Sequence, residues 1–399
     1  MIHLDELLSE PIGKRQMFRL IDIILLIMAT FFALVIRLAF FPMQSGDYVY
    51  FLKDWYESLQ SAGGIPGIGL SIGNYTPQYL YILALLTYLP INSLFAIKIV
   101  SCVFDILAAI LAAKLFLSVY NNRTGAILAY TAVLLCPTVW LNSAAWAQCD
   151  SIFTFFLLAS FFAAVKNRPI LTCVFFGLSF SFKLQAIFFA PLLLVLVLRG
   201  KMKFRHLFLI PAVYVAGLLP AALAGRNFFE MLLVYLNQAG TYRNLSKNAA
   251  SFCAVLADSQ SSGMSTAMIL LCGTAVLFLL WWIWEKKLPI TPDFLLQVSL
   301  LLLILVPFLL PHMHERYFFP ADVFALLYAI RRPKRFYVPI LVVGASFLTY
   351  LPFLFGEEPV PLVVCAAMMG SALVLMAKQL YTDAKAAENR LVSVRYDNI

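Results

Sequence analysis

Charge is scarce in this chain, and where it interrupts the apolar sequence it does so in short polar groups. Those whose types could do chemistry together are Asp47 in SGDYVYF, Asp150 in WAQCDSIF, Lys183 in SFKLQA, and His312, His314, Glu315 and Arg316 in PHMHERYF. A positioned carboxylate can take a proton from an attacking hydroxyl. Lysine and arginine can neutralise a phosphate as negative charge builds on it. Trp146 and Gln148 stand just before Asp150, and an aromatic face with an amide suits a sugar. Each residue also has a plainer role open to it. Asp47 and Asp150 could cap helices, a contribution of about 1 kcal/mol. Trp146 could belong to an interfacial aromatic belt, and Lys183 could snorkel to the membrane surface. The HxHE spacing could hold a metal. However, histidines two apart diverge by about 200° on a helix, so anion binding by Arg316 with a histidine fits better.

The elements that carry these residues are membrane helices. The chain is 62% hydrophobic and 12% charged, against about 45–50% and 25% for a soluble domain. The excess runs along the whole chain, which excludes a soluble enzyme with one anchor and excludes disorder. Helix-length runs exclude an outer-membrane barrel. The run at 21–41 is too long for a signal peptide and reads as a retained first span. The seven cysteines show no CxxC pair and read as packing residues. The net charge of +9 is expected in cytoplasmic loops, with no nucleic-acid partner. GxxxxGKS, GxGxxG and HExxH are all missing, and no internal repeat of the transporter kind stands out.

A span needs about 20 apolar residues. Thirteen apolar runs are found, and charge decides which cross. If 77–90 does not cross, 21 of the 29 Lys and Arg fall on the cytoplasmic side. The expectation is therefore an all-α polytopic protein of about twelve spans, with both termini cytoplasmic. Residues 1–20 and 383–399 form cytoplasmic ends, and 21–382 form the membrane domain. Residues 42–92 form a first outer loop with juxtamembrane helices, one of them at 77–90. Tyr48, Phe51, Leu52, Trp55 and Leu59 predict an amphipathic interfacial helix after Asp47. The stretch 169–199 is about 46 Å as one helix, too long for one crossing, so it is predicted to turn at Lys183. Asp47, Asp150, Lys183 and the HMHER group then share the outer side.

The pieces GDYVYFLKDWYESLQSAGG, NYTPQYLYILAL, WAQCDSIFTFFLLA, SFKLQAIFFAPLLLVLVLRG and PHMHERYFFPADV resemble bacterial multi-span mannosyltransferase-like proteins. These are similar to eukaryotic transferases of glycolipid-anchor synthesis and of dolichyl-phosphate-sugar use, within the GT-C superfamily. The resemblance implies an inverting transfer of a hexose, mannose or glucose, from a polyprenyl-phosphate donor to a cell-surface glycan or lipid acceptor. It implies a multi-pass plasma-membrane enzyme with its site facing outside. It implies a catalytic carboxylate just after the first span, where Asp47 stands, and a second acid at Asp150. It matches Lys183 and Gln185 to a KLQ element, and His314, Glu315 and Arg316 to an HER element. Lys183, Arg316, His312 and His314 are then expected at the donor phosphate. Asp150, Gln148, Trp146, Gln185, Glu315 and Tyr48 are expected at the sugar or acceptor. Neither a metal nor another cofactor is expected, the lipid-linked sugar being a substrate. Two other classes stay open: a lipid-linked-sugar transporter or flippase, and a polysaccharide polymerase or ligase.

Overall fold

The computed structural model describes residues 11–12, 18–239, 244–256 and 262–396. The expected N-terminal segment 1–20 therefore lies largely outside the described residues. The apolar runs form helices α1 (Leu20–Phe40), α2 (Lys53–Ser61), α3 (Pro77–Leu86), α4 (Ser93–Val119), α5 (Arg123–Leu135), α6 (Pro137–Trp140), α7 (Asp150–Val165), α8 (Pro169–Phe182), α9 (Ala190–Leu198), α10 (Leu209–Leu223), α11 (Ser262–Glu285), α12 (Pro292–Leu309), α13 (Phe319–Arg331), α14 (Tyr337–Phe355) and α15 (Leu362–Tyr396). Polar residues set several starts. The side chains of Asn92, Asn122 and Thr291 accept hydrogen bonds from the first turns of α4, α5 and α12. Pro137 cannot continue the α5 hydrogen bonds, and the chain bends by 45° between α5 and α6.

The contacts sort the helix ends into two groups. At one end of the bundle, Arg123 pairs with Asp22 at 3.2 Å, and Arg331 pairs with Asp293 at 2.7 Å. Arg332 meets Asp383, Lys286 meets Glu388, and Arg199 donates to the Leu288 carbonyl at the same end. The opposite end gathers the C-termini of α1 and α8, the N-termini of α4 and α7, and the segment before α13. There Thr76 Oγ1 donates to the Ser181 carbonyl, and Tyr48 Oη bonds Ser93 Oγ at 2.9 Å. Both flanks of α3 thus stay at that end, and its ten residues reach only about 15 Å.

Among the described residues, seven helices are long and apolar enough to cross a membrane, or eight if the bent α5–α6 pair is one span. Twelve full-length spans are therefore not established. The other expected spans fall on α7, α8, α9 and α13, of 16, 14, 9 and 13 residues. Two of them meet a site residue directly: α7 begins at Asp150 and α8 ends beside Lys183. Two local features go beyond the sequence pattern. Helix α15 runs on through 383 to Tyr396 without a break. In the first loop, a π-turn over Tyr48–Leu52 precedes α2. The wider turn shifts the buried face, so Tyr56 is buried and Phe51 is half exposed.

Candidate active site

The approach to Asp47 is fixed before the residue itself is reached. The fully buried Lys98 ammonium of α4 donates to the carbonyls of Phe40, Phe41 and Met43 at 3.0, 3.0 and 2.5 Å. A cation suits the carbonyls at and just beyond the C-terminus of α1. One residue group on, Ser45 Oγ accepts from Tyr48 N at 3.2 Å and donates to the Trp146 carbonyl at 2.5 Å. Ser45 therefore does the capping, and Asp47 makes no cap hydrogen bond. Deeper in the bundle, Arg37 of α1 pairs with Asp105 of α4 at 2.9 Å, and Ser143 donates to the same oxygen at 2.6 Å.

The segment between α6 and α7 supplies the second wall. A π-turn over Leu141–Ala145 follows α6. Ala147 then takes a left-handed conformation at φ 64°, which costs a residue with a Cβ about 1–2 kcal/mol. This turn sends both Trp146 and Gln148 to Asp47. Trp146 Nε1 donates to Asp47 Oδ2 at 2.8 Å, and Gln148 Nε2 donates to the same oxygen. The indole is held by Phe353, stacked at 4.5 Å, and Tyr350, edge-on at 5.1 Å.

Asp150 opens α7, and its carboxylate is buried. Lys183 donates to its Oδ1, and Asn142 donates to Oδ2 at 2.7 Å. Lys183 is the single extended residue between α8 and the 3-10 turn Leu184–Phe189. Its ammonium also lies 3.3 Å from Gln148 Oε1 and 5.3 Å from the Tyr75 ring. Arg316 closes the group. Its Nη2 donates to Asp47 at 3.3 Å and its Nη1 to Asp150 at 3.4 Å, with the guanidinium 5.2 Å from the Trp146 ring. Nε of Arg316 is buried without a partner. Burial opposes the charge on Arg316, but Asp150 and Asp47 outweigh it and hold its pKa well above the ordinary value. Two carboxylates and two cations thus neutralise one another in a buried polar knot, and an anion entering the knot would find donors already aimed inward.

The knot lies at one end of a helical bundle, and a comparison of the sequence with known families bears on what the bundle does. The model of glycosyltransferase family 87 matches residues 74–310, more than half of the chain. The chain belongs to glycosyltransferase family 87. This is a membrane glycosyltransferase family of the GT-C type, so the chain is a glycosyltransferase. No curated protein matches the chain. The family 87 match spans Trp146, Gln148, Asp150, Lys183 and Gln185. Asp47 and Arg316 lie outside it and join those residues through the fold.

In this family 87 chain, Asp47, Trp146, Gln148, Asp150, Lys183 and Arg316 come together as the sequence analysis expects. His314 and Glu315 stand beside them, with His314 Nδ1 3.6 Å from Glu315. Burial pushes the His314 imidazole below its ordinary pKa. Three expected residues make no contact with the two carboxylates among the described residues. His312 takes a left-handed backbone at φ 63°. Its ring bonds the Asn244 carbonyl at 2.7 Å and Ser265 at 3.1 Å, which turns it from the carboxylates. Tyr48 directs its hydroxyl to Ser93. Gln185 is half-buried, with no hydrogen bond to the knot among the described residues. Asn142, Tyr75, Lys98 and Lys247 were not among the expected residues. Lys247 lies on the strand Ser246–Lys247, which pairs parallel with Met313–His314, and faces Glu315 and Asp47 electrostatically. Lys98 had a readable signal: an ionisable residue inside an apolar run.

Proposed function

We propose that the enzyme transfers a hexose, mannose or glucose, from a polyprenyl-phosphate donor to a cell-surface glycan or lipid acceptor, with inversion at the anomeric carbon. The observation that carries this reading is the approach of Arg316 to both carboxylates, 3.3 Å from Asp47 and 3.4 Å from Asp150. Asp47 is the general base. It takes the proton of the acceptor hydroxyl as that oxygen bonds to the anomeric carbon. The bond from the anomeric carbon to the phosphate oxygen breaks on the opposite face, and its electron pair leaves with the phosphate. The donor phosphate carries one negative charge before transfer and gains another as the sugar leaves. Arg316 and Lys183 stabilise that added charge in a site that excludes water.

The resting contacts suggest an order of events. A donor phosphate offers Arg316 a stronger partner than a single carboxylate oxygen at 3.3 Å, and the open Nε is available to it. Drawing Arg316 onto the phosphate frees Asp47 for the acceptor. Asp150 and Gln148 keep Lys183 and the sugar in register. Glu315 adds to the negative field around Arg316, and His314 lies beside Glu315. The basic loops gathered at the far end of the bundle favour an orientation with the site facing outside and about twelve crossings, counting the short helices.

The test uses purified protein in nanodiscs with labelled polyprenyl-phosphate mannose and polyprenyl-phosphate glucose. The expected result is release of polyprenyl phosphate and arrival of label on an acceptor. Movement of the lipid-linked sugar across the bilayer, with the sugar–phosphate bond intact, would contradict the reading.

A further inference from the structure

Most cations at the site end of the bundle are accounted for. Lys98 serves the α1 carbonyls, Lys183 and Arg316 serve the two carboxylates, Lys53 faces Glu57 at 3.8 Å, and Lys247 faces Glu315 and Asp47. Arg226 differs. It lies three residues beyond the end of α10 (Leu209–Leu223) and is 6% exposed. Among the described residues its guanidinium has neither a hydrogen bond nor an ion pair, and its Nε and Nη1 are buried without partners. Glu230 attracts it only through space and is engaged by Ser71 at 3.0 Å. A buried charge held without a partner is expensive. Burial accordingly pushes Arg226 below its ordinary pKa. Its surroundings name the missing partner. Leu223 on one side is 89% exposed and Phe229 on the other is 70% exposed. Leu219, one turn back along α10, is also exposed. These apolar side chains stand exposed on the surface around Arg226, just past the end of an apolar helix long enough to cross a membrane, which is where hydrocarbon gives way to headgroups.

We propose that Arg226 seats the phosphate of an anionic lipid in the leaflet beside the active site, with the lipid chains lying along Leu219 and Leu223. The seat is separate from the knot around Arg316 and does not depend on which sugar is transferred. The full chain is placed in phosphatidylcholine nanodiscs containing phosphatidylglycerol, or instead a polyprenyl monophosphate, and retained lipids are counted by native mass spectrometry. The wild type should retain a phosphate lipid, and Arg226→Gln should reduce retention by about tenfold. Which of the two lipids is retained identifies the source of the phosphate. A second measurement separates a lipid seat from a structural cation. In neutral detergent without lipid, Arg226→Gln should unfold at or above the wild-type temperature, because no partner is orphaned. Equal lipid retention by the variant, earlier unfolding of the variant without lipid, or binding of inorganic phosphate with no lipid retained would each overturn the assignment.

Discussion

Arg316 and Asp47 lie 269 residues apart in the chain and 3.3 Å apart in the fold, through Nη2 and Oδ2. The same guanidinium reaches Asp150 with its other terminal nitrogen at 3.4 Å. A planar fork can serve two carboxylates at once, and an ammonium cannot. Arg316→Lys should therefore keep the charge and lose the bridge. The expected outcome is a fall in kcat of about 10²-fold, measured by transfer of labelled sugar, with the protein still folded. A kcat within about threefold of wild type, roughly 0.6 kcal/mol in barrier, would show that bridging is irrelevant.

Asp150 and Lys183 form a buried pair, with side chains 4% and 6% exposed. Removing one partner leaves an uncompensated charge, which costs about 3–5 kcal/mol. Asp150→Asn and Lys183→Met should each lower the unfolding temperature sharply. The double variant should be more stable than the two losses added together. Additive losses in a thermal-shift series would show that the two groups do not sense each other.

Lys98 and Ser45 set the path into Asp47. Lys98→Met strips the donor from three carbonyls and should destabilise by about 1–3 kcal/mol for each group left buried and unsatisfied. Ser45→Ala removes a cap and should cost about 1 kcal/mol. Both should lower kcat more than they raise KM, since they loosen Asp47 and leave the cations in place. A pure rise in KM would place these residues on donor binding.

His314 gives a pH signature. Burial lowers its pKa below 6.5, against the pull of Glu315 and with help from Arg316 and Lys247. The unfolded chain then binds more protons than the folded one as pH falls through the ordinary histidine range. Stability is full above about 6.5 and declines below it. His314→Gln should remove this component, so the variant should lose less unfolding temperature than wild type between about pH 7.5 and 5.5. Parallel curves for both proteins would contradict the assignment.

Much of the site was legible because polar residues are rare in this chain and fall at the ends of apolar runs. Asp150, Lys183 and Arg316 each end or begin such a run, Asp47 follows the first run by six residues, and basic-loop parity put them on one side. It also predicted that 77–90 does not cross, and in the fold both flanks of α3 lie at one end of the bundle. Other features depend on geometry that spacing does not encode. The π-turn over Tyr48–Leu52 moved the buried face from Phe51 to Tyr56. The left-handed backbone of His312 carried its ring to Asn244 and Ser265, although its neighbour His314 stayed near Arg316. Arg37 and Asp105 lie inside long apolar runs and pair with one another, so neither stands at a run end where the other site residues were found. The strand pairing of Ser246–Lys247 with Met313–His314 joins segments far apart in the chain and leaves no local pattern.

The central claim is that Asp47 is the base, and the most direct measurement is single-turnover transfer by Asp47→Asn with donor bound. An amide keeps the size of the side chain and cannot take the acceptor proton. The expected result is donor binding close to wild type, with transfer slowed by about 10²–10⁴-fold. Transfer at the wild-type rate by a variant that binds donor normally would contradict the claim and remove Asp47 from the chemistry.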